Sequence, residues 1–281
     1  MGINLEAFKM ETVELNNGIF MPMIGYGTYR TVPAMTTANV LQALRTGYRL
    51  IDTAQYYGNE AEVGEALTES GLPRDQVFVT TKVQTSGYAE TKRGLDESLR
   101  RFNHDYFDLV IIHWPTGNDA ETYRALEDAY RDGKVRALGL SNFNARQVQA
   151  IIDGATVMPA LDQIETHLNW QQKRMHAYLT SRGMVHESYA PLGEGQPGFL
   201  DNPVLVKVAQ RYHKTPAQVT LRFLIQEGIV VIPKTLNRQH MADNFAIADF
   251  ALEPADVRTL EGLDARQSID GWPAAMQEDQ Y

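Results

Sequence analysis

Short apolar or β-branched runs alternate along this chain with longer segments of helical periodicity, at intervals of roughly 25 to 40 residues. Most of the runs are apolar on both faces, which is typical of parallel strands covered by helices outside and packed side chains inside. Eight such units predict an α/β fold, a (β/α)8 TIM barrel. The predicted strands are Met23–Gly27, Arg49–Asp52, Val77–Lys82, Leu109–His113, Ala137–Ser141, Ala160–Glu165, Met184–Tyr189 and Val230–Lys234.

An N-terminal β-hairpin is predicted before the repeat, from Glu11–Leu15 and Ile19–Met23, because the Asn-Asn-Gly sequence between them tolerates positive φ. No low-complexity linker or shift in composition divides the chain. We therefore predict one barrel domain over residues 1–281. Two helical segments follow the seventh strand, and the Gly/Pro-rich loop 193–198 before them is a candidate lid.

Helix starts are also encoded locally. Thr215 is followed by a proline and then by Gln218, which predicts a capping box, and Asn144 with Gln147 repeats the pattern. Apolar residues three or four positions apart mark the core-facing sides of these helices. We interpret these stripes as core rather than as binding surfaces.

Charge and cysteine content narrow the function classes. The net charge of −9 argues against nucleic acid and anionic lipid as partners, since both bind through Lys and Arg. The absence of cysteine excludes disulfides and thiolate metal sites, and no HExxH or Cys/His cluster predicts a metal. Residues 1–9 lack the pattern of a secretory signal, and the apolar runs are too short to span a bilayer. A cytoplasmic protein is expected.

Polar residues close or follow nearly every predicted strand. Since the carboxyl ends of barrel strands meet at one face, these side chains are expected to converge on one mouth. They are Asp52, Lys82, His113, Ser141, Asn142, Gln163, Tyr189, Lys234 and Thr235.

Asp52, Tyr57, Lys82 and His113 together suggest proton donation. A tyrosine hydroxyl has a pKa of about 10, and a nearby Lys82 ammonium is expected to lower it. Asp52 would hold Lys82 charged, and His113 would orient a carbonyl oxygen. Because none of these four residues is a convincing nucleophile, the hydride or electron pair must come from a cofactor.

The segment Gly47–Ala54 (Gly-Tyr-Arg-Leu-Ile-Asp-Thr-Ala), followed by Tyr57-Gly58-Asn59-Glu60, resembles the signature of the aldo-keto reductases. The resemblance continues to about Leu263, through motifs such as Ile232-Pro233-Lys234-Thr235. The stretch from Glu187 to Gly195 is similar to the corresponding sequence in the bacterial branch of the family, which includes 2,5-diketo-D-gluconate reductases.

The resemblance implies a monomer that reduces aldehydes or ketones, including keto sugars or diketo acids, with NADPH as preferred cofactor and Asp52, Tyr57, Lys82 and His113 as the catalytic tetrad. It implies these cofactor contacts: Gly27, Thr28, Asp52, Ser141, Asn142, Gln163, Tyr189, Leu192, Lys234, Thr235, Leu236, His240, Asp243 and Asn244. The expected substrate contacts are Tyr29, Tyr57, Gln84, His113 and Trp114.

The chain departs from the family pattern in places. His240 stands where NADPH-preferring members carry an arginine, which predicts weakened discrimination against NADH, with Arg238 as partial compensation. Gln84 replaces a tryptophan of many relatives, which predicts a wider or more polar mouth. The tail 268–281, with Trp272-Pro273, follows no family pattern and is a candidate cover for the pocket.

Two other functions fit parts of the pattern. A lysine at a barrel strand end, near carboxylates and a phosphate site, also describes a Schiff-base aldolase with Lys82 as nucleophile. A non-catalytic module that binds NADP(H) is the second alternative, although the intact tetrad argues against it.

Overall fold

Eight parallel strands close into the predicted barrel. The computed structural model describes residues 10–269, and in it each barrel strand pairs with its sequence neighbour. A parallel bridge between Ile24 and Val231 joins the start of the sheet to its end and closes it. The strands are β3 (Tyr26–Gly27), β4 (Leu50–Asp52), β5 (Phe78–Val83), β6 (Phe107–Ile112), β7 (Val135–Ser141), β8 (Leu161–Glu165), β9 (Val185–Tyr189) and β10 (Val230–Val231).

Helices alternate with these strands and cover the barrel. They are α1 (Pro33–Thr46), α2 (Glu60–Ser70), α3 (Tyr88–Phe102), α4 (Asp119–Arg131), α5 (Ala145–Gly154), α6 (Lys173–Ser181), α7 (Pro203–Arg211), α8 (Pro216–Gln226), α9 (Arg238–Phe245) and α10 (Pro254–Glu261). The predicted capping boxes are confirmed at Asn144 and Thr215, which begin α5 and α8. Two helices, α7 and α8, lie between β9 and β10, as predicted.

The predicted hairpin is formed by β1 (Thr12–Glu14) and β2 (Phe20–Pro22), which pair antiparallel. In its turn, Asn16 Nδ2 donates to the carbonyl of Pro159 at 2.8 Å and Asn17 Nδ2 to that of Arg136 at 2.9 Å. Both carbonyls lie near the amino ends of barrel strands. The hairpin therefore covers the face opposite to the predicted site.

The first and last barrel strands are shorter than predicted. Residues 23–27 and 230–234 were expected to be strands, but only Tyr26–Gly27 and Val230–Val231 pair regularly. Pro233 has no N–H and cannot continue a ladder, although its carbonyl accepts from Gly27 N at 3.2 Å. A Cβ on Gly27 would lie 2.9 Å from the Ile232 carbonyl oxygen, so this close approach requires glycine.

Candidate active site

A cavity of about 370 Å³ opens at the carboxyl ends of the strands. Side chains from most of the barrel strands meet there, as the positions of the strand ends require. The predicted site residues that line it are Gly27, Tyr29, Asp52, Tyr57, His113, Trp114, Ser141, Asn142, Gln163, Tyr189, Leu192, Lys234 and Thr235.

Asp52 and Lys82 form a buried ion pair behind this cavity. Lys82 Nζ donates to Asp52 Oδ1 and, at 3.0 Å, to the carbonyl of Thr53. The other Asp52 oxygen accepts from Gln163 Nε2 at 3.0 Å. Because both carboxylate oxygens have donors, the pair meets the condition under which a buried charge pair is tolerated.

Tyr57 sits at the end of a short 3-10 turn, Gln55–Tyr57, which follows β4 and ends at Gly58 in the left-handed region. The ammonium of Lys82 lies 4.8 Å from the centroid of the Tyr57 ring. His113 meets the same ring edge to face, with centroids 5.8 Å apart. The turn therefore brings the phenol against two other members of the predicted tetrad.

The pKa of Tyr57 differs from the sequence-based expectation. Burial raises the pKa of this phenol well above its usual value of 10.0, and the Asp52 charge raises it further. The expected acidification by Lys82 is therefore wrong for the free protein. The reason is that Asp52 already balances the ammonium, so desolvation dominates. At neutral pH the phenol therefore keeps its proton.

His113 follows β6 and is 6% exposed. Burial, with a smaller contribution from the Lys82 charge, lowers the pKa of this imidazole from 6.5 to about 3. The ring is therefore neutral at physiological pH. A neutral imidazole can donate one hydrogen bond to a carbonyl oxygen but does not supply an imidazolium proton.

A chain of hydrogen bonds fixes the part of the cavity wall that contains Tyr189, Asn142 and Ser141. The hydroxyl of Tyr189, at the end of β9, donates to Asn142 Oδ1 at 2.9 Å. Asn142 Nδ2 donates to Ser141 Oγ at 3.0 Å, and Ser141 Oγ donates to the carbonyl of Gln163 at 2.8 Å. Asn142 has φ of +65°, a conformation that asparagine tolerates well. The chain holds the Tyr189 ring in the cavity wall.

Gln163 connects two buried carboxyl groups. Its Nε2 donates to Asp52 Oδ2 at 3.0 Å and to Glu187 Oε2 at 2.9 Å. Both amide protons are thus engaged, which leaves Oε1 as the atom that can accept a hydrogen bond from a ligand. Glu187 was not among the predicted site residues, although a carboxylate inside a buried strand is itself a signal of a polar site.

The residues predicted near the adenosine end are less enclosed. Lys234 and Thr235 line the cavity, while Leu236 and His240 are exposed and lie outside it. Asp243 and Asn244 lie in α9, also outside the cavity. Thr28, another predicted contact, is buried and donates to the Asp52 carbonyl at 2.9 Å.

The cavity also has residues that were not predicted, and it lacks one of the predicted substrate contacts. Gln84 is exposed and does not line the described cavity. Tyr56, directly before Tyr57, does line it, and this doubled tyrosine was an available signal. Arg30 and Glu194, which also line the cavity, form an ion pair with Nη1 2.8 Å from Oε2. The tail residues Trp272-Pro273 lie outside the described residues.

The chain matches known proteins over nearly its whole length. The model of the Aldo/keto reductase family matches residues 22–265. The glyoxal reductase of Bacillus subtilis (strain 168) is 39% identical over 264 residues, which cover 92% of this chain and 95% of that protein.

Solved structures of similar proteins show the same family relationship. An aldo-keto reductase enzyme from a Medee basin deep-sea metagenome library has a TM-score of 0.89 at 39% identity, covering 91% of this chain and 96% of that one. A Bombyx mori aldo-keto reductase in complex with NADP has a TM-score of 0.88 at 30% identity, covering 97% and 98%. This chain therefore belongs to the aldo/keto reductase family, whose members use NAD(P)H to reduce carbonyl groups.

Proposed function

We propose that this oxidoreductase reduces aldehydes and ketones to alcohols with NADPH as preferred hydride donor and Tyr57 as general acid. The observation that carries the proposal is the cluster of Tyr57, Lys82, Asp52 and His113 at the cavity. The cluster has a proton donor and its supports, and it has no free nucleophile.

Each residue of this cluster has its own proposed role in the reaction. His113, neutral at physiological pH, donates a hydrogen bond that places the carbonyl oxygen. Tyr57 then gives its proton to that oxygen as negative charge develops there. Lys82 lies over the phenol ring and, paired with Asp52, holds the phenol in place for this transfer. Asp52 keeps Lys82 charged and oriented.

The cavity wall fits a reduced nicotinamide cofactor. NADPH, when bound, would supply the hydride. Tyr189 offers an aromatic face, held by its bond to Asn142, and Gln163 offers an amide oxygen whose nitrogen is already engaged. Ser141 and Asn142 are at the same wall, and Lys234 also lines the cavity, where its positive charge can meet a phosphate. Leu192 and the loop after it would cover the pyrophosphate.

Selection between NADPH and NADH would be weak. His240, at the start of α9, is exposed, and its backbone N–H is already bound to the capping Asn237 side chain. A neutral imidazole cannot form the bidentate contact that arginine makes with a phosphate. We therefore expect NADPH to be preferred and NADH to be tolerated, with Leu236, Asp243 and Asn244 as the remaining contacts to the adenosine.

The substrate is proposed to be a neutral carbonyl compound. Around Tyr57 and His113 the cavity wall is aromatic, with Tyr29, Tyr56 and Trp114. The cations that line the described cavity are Arg30, bound to Glu194, and Lys234. Similarity to 2,5-diketo-D-gluconate reductases makes keto sugars and diketo acids the second candidates, but a carboxylate substrate would lack an unengaged cation beside this aromatic wall.

The proposed domain organisation, oligomeric state and location of the protein are those expected from its resemblance to the family. We propose a single barrel domain over residues 1–281 that acts as a monomer in the cytoplasm, on small molecules rather than nucleic acid. The family match over residues 22–265 and the absence of cysteine support this proposal. Among residues 10–269, no helix has both the length and the apolar character to cross a membrane.

A carbonyl panel tests the proposal. Purified protein is mixed with NADPH and with glyoxal, methylglyoxal, benzaldehyde or 2,5-diketo-D-gluconate, and NADPH absorbance is followed. We expect oxidation with the neutral compounds and a lower kcat/KM for the acid. Binding of NADPH without oxidation by any compound would favour the non-catalytic module. Borohydride trapping of a carbonyl on Lys82 would favour the aldolase, although Lys82 is already committed to Asp52 and the Thr53 carbonyl.

A further inference from the structure

Two buried carboxyl groups share one amide beneath the cavity. Asp52 and Glu187 are 1% and 0% exposed, and the Gln163 amide donates one proton to each. They lie far apart along the chain, but the fold brings both side chains to the same Gln163 amide. The three side chains form one continuous polar unit inside the barrel.

The charges of this unit do not balance if both carboxyls ionise. Lys82, from β5, is the cation that faces them, and it is bonded to Asp52. Tyr57 and His113, which are nearby, are neutral at physiological pH, and the other titratable groups of this cluster are the phenols of Tyr29 and Tyr189. A second carboxylate in this dry interior would have no cation of its own. Burial and the Asp52 charge raise the pKa of Glu187 from 4.5 to about 8.

The unit adjoins the wall assigned to the nicotinamide under the proposed function. Asp52, Gln163 and Tyr189 line the cavity, while Glu187 stands two residues before Tyr189 on β9 and is reached through Gln163. Glu187 therefore cannot touch a ligand in the described cavity. It can act on one through its charge and through the Gln163 amide.

We propose that Glu187 is a positioning residue whose carboxyl proton sets the relative affinity of the site for oxidised and reduced nicotinamide cofactor. The inference rests on the proposed function. The oxidised ring carries a positive charge and the reduced ring does not, so an ionised Glu187 stabilises the oxidised form selectively. With Glu187 protonated, that selective stabilisation disappears and the site favours the reduced form by comparison.

Thermodynamic linkage makes the effect reciprocal. If ionised Glu187 strengthens binding of NADP+, then NADP+ must lower the pKa of Glu187 by the same coupling free energy. Binding of NADP+ at a pH near 8 then releases part of a proton from the protein. Binding of NADPH releases less, because its neutral ring has no such preference.

Dinucleotide titrations test the proposal directly. The Kd values of NADPH and NADP+ are measured by fluorescence at pH 7 and pH 9 for wild type, Glu187→Gln and Asp162→Asn. For wild type, Kd(NADPH)/Kd(NADP+) is expected to rise at least about threefold from pH 7 to pH 9. Glu187→Gln keeps an uncharged bridge to Gln163, so its ratio is expected to stay constant over this range.

Asp162→Asn is the matched control. Asp162 lies on β8 next to Gln163, is fully buried and also has a raised pKa, but it is not part of the bridged unit and does not line the cavity. Its variant also replaces a buried carboxyl by an amide. The ratio for Asp162→Asn is therefore expected to follow that of wild type.

The outcomes separate this inference from the proposed function. A wild-type ratio that does not change with pH, or a Glu187→Gln ratio that changes as wild type does, overturns the role of Glu187. Failure of wild type to bind either dinucleotide overturns the proposed function itself.

Calorimetry of wild type at pH 8, in two buffers of different ionisation enthalpy, measures the proton release on binding of each dinucleotide and needs no variant. Equal proton release for NADP+ and NADPH would also overturn the inference.

Discussion

The ammonium of Lys82 lies over the face of the Tyr57 ring, 4.8 Å from the ring centroid, and it donates hydrogen bonds to Asp52 and to the Thr53 carbonyl. The Lys82 ammonium thus faces the aromatic ring of Tyr57. A cation over an aromatic face stabilises that placement of the ring. In the free protein, the ion pair orients the phenol without making it more acidic.

Tyr57→Phe tests the proton donor. Removal of the hydroxyl should lower kcat by a factor of about 10² to 10⁴, the usual contribution of a general acid, while the ring contacts to Lys82 and His113 survive. The Kd of NADPH should change less than about twofold. Steady-state kinetics and a fluorescence titration measure both. Tyr106→Phe makes the same change between Arg74 and Arg136, away from the cavity, and should keep kcat. Retained turnover in Tyr57→Phe would reject the assignment.

His113 should make the stability of the protein depend on pH. Its folded pKa of about 3 lies below the unfolded value of 6.5. The unfolded chain therefore binds more protons, and this contribution to stability, present above pH 6.5, is lost as the pH falls toward 3. Urea denaturation at pH 7 and pH 4.5 should show a smaller loss for His113→Gln than for wild type. Equal losses would show that His113 is not held neutral.

His240→Arg tests cofactor selection. For wild type, we expect kcat/KM with NADPH to exceed that with NADH by less than about a thousandfold, or roughly 4 kcal/mol. An arginine at this position should raise the ratio by about tenfold or more, because guanidinium binds phosphate bidentately. His213→Arg, an exposed change between α7 and α8, is the control for added charge. An unchanged ratio in His240→Arg would remove residue 240 from the phosphate site.

Asp162→Asn should stabilise the protein at neutral pH. Burial, opposed in part by the Phe143 backbone amide, raises the pKa of Asp162 well above 3.8. The folded state then binds more protons than the unfolded chain, so stability falls as the pH rises above 3.8. The amide removes this cost, and the free energy of unfolding at pH 7 should rise by about 1 kcal/mol or more. Urea denaturation should show a smaller gain at pH 4. A loss of stability at both pH values would contradict this account.

The sequence by itself determined the architecture and most residues of the site. The alternation of strand and helix patterns depends on neighbouring residues, so it can be recognised in the sequence without the tertiary structure. The capping boxes at Asn144 and Thr215 are likewise encoded within four residues. Parallel barrel strands must end at a common face, and this rule alone predicts that Asp52, Lys82 and His113 lie together.

Only the tertiary structure decided how these residues interact. The Gln163 amide joins Asp52, 111 residues away, to Glu187, a contact that depends on how the closed barrel aligns its strands. The same closure leaves Gln84 outside the cavity and Tyr56 at its wall. Burial raised the pKa of Tyr57 where a pairwise view with Lys82 predicted a decrease. Desolvation depends on every neighbour of a group, and sequence spacing does not contain that information.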